Sequence, residues 1–116
     1  MQNFQIGLDI IEIERFQKLQ ENTSFLEKVF TDKELKDCLN KLNMVESLAA
    51  RYAAKEAVRK TIKYNVEYNC IEVINTKDGK PIVRLLDSSI QKHYQFQISL
   101  SHTKEYAAAV CLTVLL

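Results

Sequence analysis

Glycine is nearly absent from this chain: Gly7 and Gly79 are its only two in 116 residues. Neither a Walker loop nor a glycine-rich dinucleotide turn can be built from them, because both need clustered glycines for backbone N–H groups to approach a phosphate. Any phosphate chemistry here must use Lys, Arg and a metal ion instead of a backbone cradle. The three cysteines, Cys38, Cys70 and Cys111, are odd in number and widely spaced, with no Cys-x-x-Cys. That excludes a disulfide framework and a zinc site, and they read as reduced thiols packed as small hydrophobes. No nucleophile elbow is present, so a Ser–His hydrolase has no support. A basic excess is missing too: the formal net charge is +1, which argues against a dedicated nucleic-acid binder. The longest apolar run, "AAAVCLTVLL" at 107–116, is too short to span a bilayer. The opening "MQNFQIGLD" lacks the features of a signal peptide, so a cytoplasmic protein with no membrane partner is expected.

What remains is an ordinary globular composition, 47% apolar and 27% charged, sized for a single domain over 1–116. "FQIGLDIIEI" (4–13) reads as a strand, with Phe4, Ile6, Leu8 and Ile10 on one face and Gln5, Gly7, Asp9 and Ile11 on the other. Helical stretches follow in "EIERFQKLQEN" and "SFLEKVF". Thr31 and Glu34 form a capping box that starts a third helix. The major helix is expected from Val45 to Lys63. "CIEVINT" and "PIVRLL" read as a hairpin around Asp78-Gly79, "DSSIQKHY" as a short helix capped by Asp87 or Ser88, and "FQISLSH" with "YAAAVCLTVLL" as a last pair of strands. The order implies an α+β domain: a small, mostly antiparallel sheet packed on one long helix.

In the long helix, Val45, Leu48, Ala49, Tyr52 and Ala53 follow i, i+3, i+4, i+7, i+8, a core-facing stripe. Continued at the same spacing, the stripe runs into Glu56, Arg59, Lys60 and Lys63, with Arg51 and Lys55 flanking it. Glu56 is then either one member of a stock i,i+3 or i,i+4 ion pair with Arg59 or Lys60, or part of a site. Asp9 raises the second reading. Aspartate is depleted in strands, and a carboxylate within a sheet costs roughly several kcal/mol unless paired or metal-bound. It either caps the helix that follows the strand or converges with Glu56 on one cation. Two carboxylates with lysines nearby and no Cys/His cluster suit Mg²⁺, which takes one or two carboxylates plus substrate phosphates. Ser101, His102, Thr103 and Lys104, where a strand enters a turn, form a plausible phosphate-contacting group. His93 receives no role. A Mg²⁺-dependent nucleotide pyrophosphohydrolase would want more clustered carboxylates than this helix carries, and a non-enzymatic trimeric scaffold would leave Asp9 and Glu56 dispensable.

Five separated motifs carry a family resemblance: "IGLDIIEIERF" (6–16), "FTDKEL" (30–35), "ARYAAKEAVRK" (50–60), "DGKP" (78–81) and "SLSHTKEYAAAV" (99–110). Together they make the chain similar to bacterial holo-acyl-carrier-protein synthases, the small homotrimeric class of 4′-phosphopantetheinyl transferases. The resemblance implies transfer of 4′-phosphopantetheine from coenzyme A to a serine of apo-acyl carrier protein, with release of adenosine 3′,5′-bisphosphate, for fatty acid biosynthesis. It implies metal ligation by Asp9 and Glu56, and catalysis by these two with Lys60. Coenzyme A contacts fall on Arg51, Tyr52, Lys55, Lys60, Lys63, Pro81, His102 and Thr103, at a site between subunits. Carrier docking falls on Arg15, with Lys18 and Lys28 completing a basic set suited to an acidic partner. The carrier serine's proton goes to Glu56 or to a water on the metal; both remain open. One departure stands out: relatives carry glycine after the catalytic helix, whereas "KTIKYNVEYN" has none, and Lys63 would substitute by charge.

Overall fold

A computed structural model describes residues 3–116. The β-branched run near the N-terminus forms strand β1 (Phe4–Glu12), followed by helices α1 (Glu14–Leu19), α2 (Thr23–Val29) and α3 (Asp32–Leu39), and the long helix α4 (Met44–Arg59). A 3₁₀ turn at Tyr68–Cys70 leads into the hairpin β2 (Ile71–Asn75) and β3 (Pro81–Leu85), the short helix α5 (Ser88–Gln91), and the strands β4 (Tyr94–His102) and β5 (Tyr106–Leu115). The strands make two antiparallel sheets, β1-β5-β4 and β2-β3. Helix α4 lies across one face of the larger sheet. Local chemistry starts and stops these elements as the sequence implies. Thr31 and Glu34 complete the capping box of α3, the Asp87 side chain caps α5, and Gly79 takes a φ of 85° in the β2–β3 turn, a conformation that favours glycine.

Helix α4 ends at Arg59, one turn before the expected Lys63. Thr61 is the cause. Its backbone N–H and its hydroxyl both donate to the Val58 carbonyl, at 2.9 and 2.7 Å, diverting an acceptor that a continuing helix would have used. The same hydroxyl shares a 2.6 Å hydrogen bond with Thr113 of β5, pinning the helix end to the sheet.

The two faces of β1 are the ones expected, but the apolar one does not face the helix. Gly7 and Ile11 are buried and Asp9 half-buried on the α4 side, while Ile6, Leu8 and Ile10 stand 66%, 63% and 65% exposed on the other. Small residues explain the choice. Ala49, Ala53 and Ala57 of α4 meet Ala107, Ala109 and Cys111, the β5 partners of Ile11, Asp9 and Gly7. The helix comes so close that a Cβ on Gly7 would sit 2.0 Å from the Ala57 carbonyl oxygen. Only glycine permits that approach, and the approach carries the end of α4 over Asp9. At the opposite end, Phe16 packs its ring edge against Phe25 and Phe30 and tilts onto Tyr52, closing the core over α1 and α2.

Candidate active site

Asp9 sits in the middle of β1, three residues short of the strand end, so it caps nothing; the residue preceding α1 is Ile13, which makes no side-chain cap. Lys60, at the C-terminal end of α4, folds back onto the strand. Its ammonium donates to the Leu8 carbonyl at 2.6 Å and stands 3.5 Å from an Asp9 carboxylate oxygen. One turn earlier on the same helix is Glu56, half-buried. Burial pushes the Asp9 carboxyl above its ordinary range; Lys60 pulls it back, Glu56 adds to the rise, and Arg15 of α1 opposes it. Thus β1, α4 and α1 bring Asp9, Glu56, Lys60 and Arg15 into one electrostatic neighbourhood.

Glu56 forms neither of the local ion pairs open to it. Among the described residues, Arg59 goes instead to Asn65 (3.1 Å) and over the Tyr68 ring (4.2 Å to its centroid), and Lys60 goes to β1. Its carboxylate is left beside the Tyr68 phenol, which burial, then Glu56 and then Tyr52 push well above the usual tyrosine range. Tyr68 went unnoticed in the sequence, since an aromatic at the start of a strand segment has an adequate explanation in packing.

These two carboxylates fit a magnesium ion. Among the described residues no group of three or more His, Cys, Asp and Glu side chains comes together, so a metal that needs a full protein cage has no place here. Mg²⁺ needs only one or two carboxylates and keeps the rest of its shell for water and phosphate oxygens. Burial and the neighbouring Glu56 disfavour the Asp9 charge more than Lys60 and Arg15 offset it, an environment that a divalent cation would suit.

The other residues expected at the site divide into groups. Arg51, Pro81 and His102 line a cleft of about 830 Å³ between the first half of α4, the β2–β3 hairpin and β4, together with Ser47, Lys80 and Ser99. Arg51 is held there by its own hydrogen bond to the Val73 carbonyl at 2.7 Å. None of Asp9, Glu56 and Lys60 lines this cleft. Lys63 shares a smaller hollow with Lys60, Tyr94 and Thr113. Thr103 spends its hydroxyl on the β4–β5 turn, accepting from the N–H groups of Glu105 and Tyr106 at 3.2 and 3.1 Å. Tyr52 is stacked on Tyr68 with centroids 5.5 Å apart. Arg15 and Lys18 flank a shallow exposed depression on α1, and Lys28 is exposed on α2.

Lys55 departs from the expectation altogether. It points away from Glu56 into the core, with none of its side chain exposed. Its three ammonium protons go to Glu34 Oε1 at 2.7 Å, the Tyr68 carbonyl at 2.8 Å and the Ile71 carbonyl, and its charge stands 5.5 Å from the Phe30 ring centroid. Glu34 is itself satisfied by the Thr31 and Val73 N–H groups. With every donor committed, Lys55 has none left for coenzyme A. Neighbours on a helix point about 100° apart, so Lys55 and Glu56 serve different surroundings.

The model of the 4′-phosphopantetheinyl transferase superfamily matches residues 5–111. The chain belongs to this superfamily. Among its relatives in the superfamily, the holo-acyl-carrier-protein synthase of Chloroherpeton thalassium is 42% identical over 115 residues, covering 93% of this chain and 95% of the relative. A holo-acyl-carrier-protein synthase from Bacillus anthracis, solved in complex with CoA (3′,5′-ADP), superposes with a TM-score of 0.82 at 31% identity, covering 96% of each chain. The Helicobacter pylori enzyme in complex with coenzyme A gives 0.80 at 26% identity, covering 97% of this chain and all of that one. The α+β architecture read from the element order is therefore the fold of this superfamily.

Proposed function

We propose that this chain transfers the 4′-phosphopantetheine group of coenzyme A to a serine of apo-acyl carrier protein, as a cytoplasmic holo-acyl-carrier-protein synthase serving fatty acid biosynthesis. The observation that carries the reading is that Asp9 and Glu56 share one electrostatic neighbourhood, Asp9 held only at 3.5 Å by the exposed ammonium of Lys60 and Glu56 in neither of its local ion pairs. In the reaction the serine oxygen forms a bond to phosphorus, the bond from phosphorus to the adenosine bisphosphate breaks, and the serine gives up its proton. Mg²⁺ held by Asp9 and Glu56 would polarise the phosphorus under attack and offset the diphosphate charge. Lys60, anchored on the Leu8 carbonyl, offsets charge growing on the departing bisphosphate. Asp9 is engaged by Lys60, so Glu56 is the chain's own carboxylate free to accept the serine proton. Arg15, Lys18 and Lys28 steer the acidic carrier to the mouth of the site.

The test is direct: incubation with apo-acyl carrier protein, coenzyme A and Mg²⁺, followed by intact mass measurement of the carrier. A gain of one phosphopantetheine per carrier is expected, and an unchanged carrier mass sinks the reading.

A homotrimer belongs to the same proposal. Ile6, Leu8, Ile10 and Val110 form an apolar band on the face of the sheet that α4 does not cover. A trimer that buries this band accounts for it. It would also bring the cleft of one protomer, with Arg51, Pro81 and His102, to the carboxylates of the next, uniting residues that a single chain keeps apart. Leu8→Asp is expected to give a monomer by analytical ultracentrifugation, with transfer reduced about 10²-fold by the misplaced half-site. A fully active monomer would separate the trimer from the reaction.

A further inference from the structure

Tyr68 lies outside every motif that pointed to the reaction, yet three contacts with α4 fix its place. Its ring stacks on Tyr52, 5.5 Å between centroids and 19° between planes. The Arg59 guanidinium lies over the same ring at 4.2 Å. Its carbonyl accepts from the buried Lys55 ammonium at 2.8 Å. Tyr52, Glu56 and Arg59 are spaced i, i+4, i+7 and so share one face of the helix. A ring that touches both Tyr52 and Arg59 necessarily crosses Glu56 between them.

Glu56 needs such a partner. Its side chain has three rotatable bonds, and Arg59 and Lys60, the cations three and four residues further on, are both turned elsewhere. We propose that Tyr68 is the positioning residue for Glu56: its phenol donates to one carboxylate oxygen and leaves the other presented toward Asp9. Resting on the two-carboxylate reading above, this gives the metal ligand an outer hydrogen-bond partner that limits its freedom, as ligating carboxylates generally have. The fold supports the arrangement from both sides. Stacking on Tyr52 and Arg59 sets the ring plane, and Lys55 holds the backbone of the 3₁₀ turn against the helix position adjacent to Glu56.

The experiment titrates Mn²⁺ alone into the purified protein and follows the free ion by electron paramagnetic resonance. It compares the wild type with Tyr68→Phe, Tyr68→Leu and Asp9→Asn. Phenylalanine keeps the ring between Tyr52 and Arg59 and removes only the hydroxyl. The expected result is Mn²⁺ binding about 10-fold weaker in Tyr68→Phe, with an unchanged melting temperature. In the transfer assay the Mg²⁺ concentration for half-maximal rate rises by the same factor, while KM for the carrier stays put. Unaltered Mn²⁺ affinity in Tyr68→Phe overturns the proposal. So does a loss seen only in Tyr68→Leu, because the residue would then act through packing. Asp9→Asn separates this failure from a larger one: if it binds Mn²⁺ as well as the wild type does, the two-carboxylate site itself is wrong and the role of Tyr68 falls with it.

Discussion

Replacing Asp9 with asparagine is expected to slow phosphopantetheine transfer by about 10³-fold or more, while leaving the fold at least as stable as before. The rate loss follows from what a metal supplies to a phosphoryl centre, several kcal/mol of charge stabilisation at about 1.4 kcal/mol per tenfold in rate. The stability claim follows from the direction in which Asp9 titrates. Its folded-state carboxyl lies above the ordinary 3.8, because burial and Glu56 outweigh Lys60 and Arg15. A raised carboxyl means that the charged form is less welcome in the folded chain than in the unfolded one. Its destabilising contribution is fully present above the folded value, fades as the pH falls through it, and is gone only below the unfolded value of 3.8, where both states are protonated. Asparagine removes that burden at neutral pH, so the variant's advantage in urea unfolding should shrink and vanish on acidification. Carrier mass spectrometry and urea melts at several pH values check both halves. Near-wild-type transfer would remove Asp9 from the reaction, and a marked loss of stability at neutral pH would show that Asp9 serves the fold.

The Lys55→Met variant should show the opposite pattern, a large cost to the fold. Lys55 and Glu34 pair at 2.7 Å with both side chains fully buried. Removing one partner of a buried pair leaves an uncompensated charge and typically costs about 3–5 kcal/mol. Here it also strands the Tyr68 and Ile71 carbonyls that the ammonium satisfies. The double variant Glu34→Gln with Lys55→Met should recover part of the loss, because no net charge is then left in the core. Urea unfolding at a single protein concentration measures it, since assembly would otherwise shift the apparent stability. A cost under about 1 kcal/mol would mean that water or rearrangement reaches the pair, as at surface ion pairs.

These two residues also differ in what the chain alone says of them. Asp9 stood out because a carboxylate inside an Ile/Leu run conflicts with strand preference, and the structure does place it half-buried within β1. Glu56 was legible as a charged continuation of an apolar stripe, and it does lie at the edge of the core. The capping box, the Asp78-Gly79 turn and the order of elements along the chain were local matters, written within a few residues of where they act; the pairing of β1 with β5, some hundred residues away, was not. Lys55 was not legible. Its role depends on Glu34 from α3 and on carbonyls at residues 68 and 71, a meeting with no periodicity or spacing to announce it. The capping box revealed Glu34 as a helix-start residue and hid that its carboxylate has a second task. The end of α4 was missed for a similar reason: helical spacing continues to Lys63, and only the Thr61 hydroxyl, bonded to Val58 and Thr113, ends it.

By itself the sequence determined the elements, their order, the absence of any glycine-built phosphate cradle, and the two out-of-pattern carboxylates, Asp9 and Glu56. Those are properties of side-chain type and short-range spacing, and the backbone obeys them locally. Tertiary structure alone decided which face of β1 turns inward, because that choice rests on how closely two surfaces approach. A glycine opposite Ala57 admits the helix, so Asp9 goes under α4 and the apolar row of Ile6, Leu8 and Ile10 is left outside. It also decided which of two adjacent helix residues is buried in the core, Lys55, and which stays half-buried beside Tyr68, Glu56. One residue's rotation along α4 separates a closed set of hydrogen bonds from an open carboxylate.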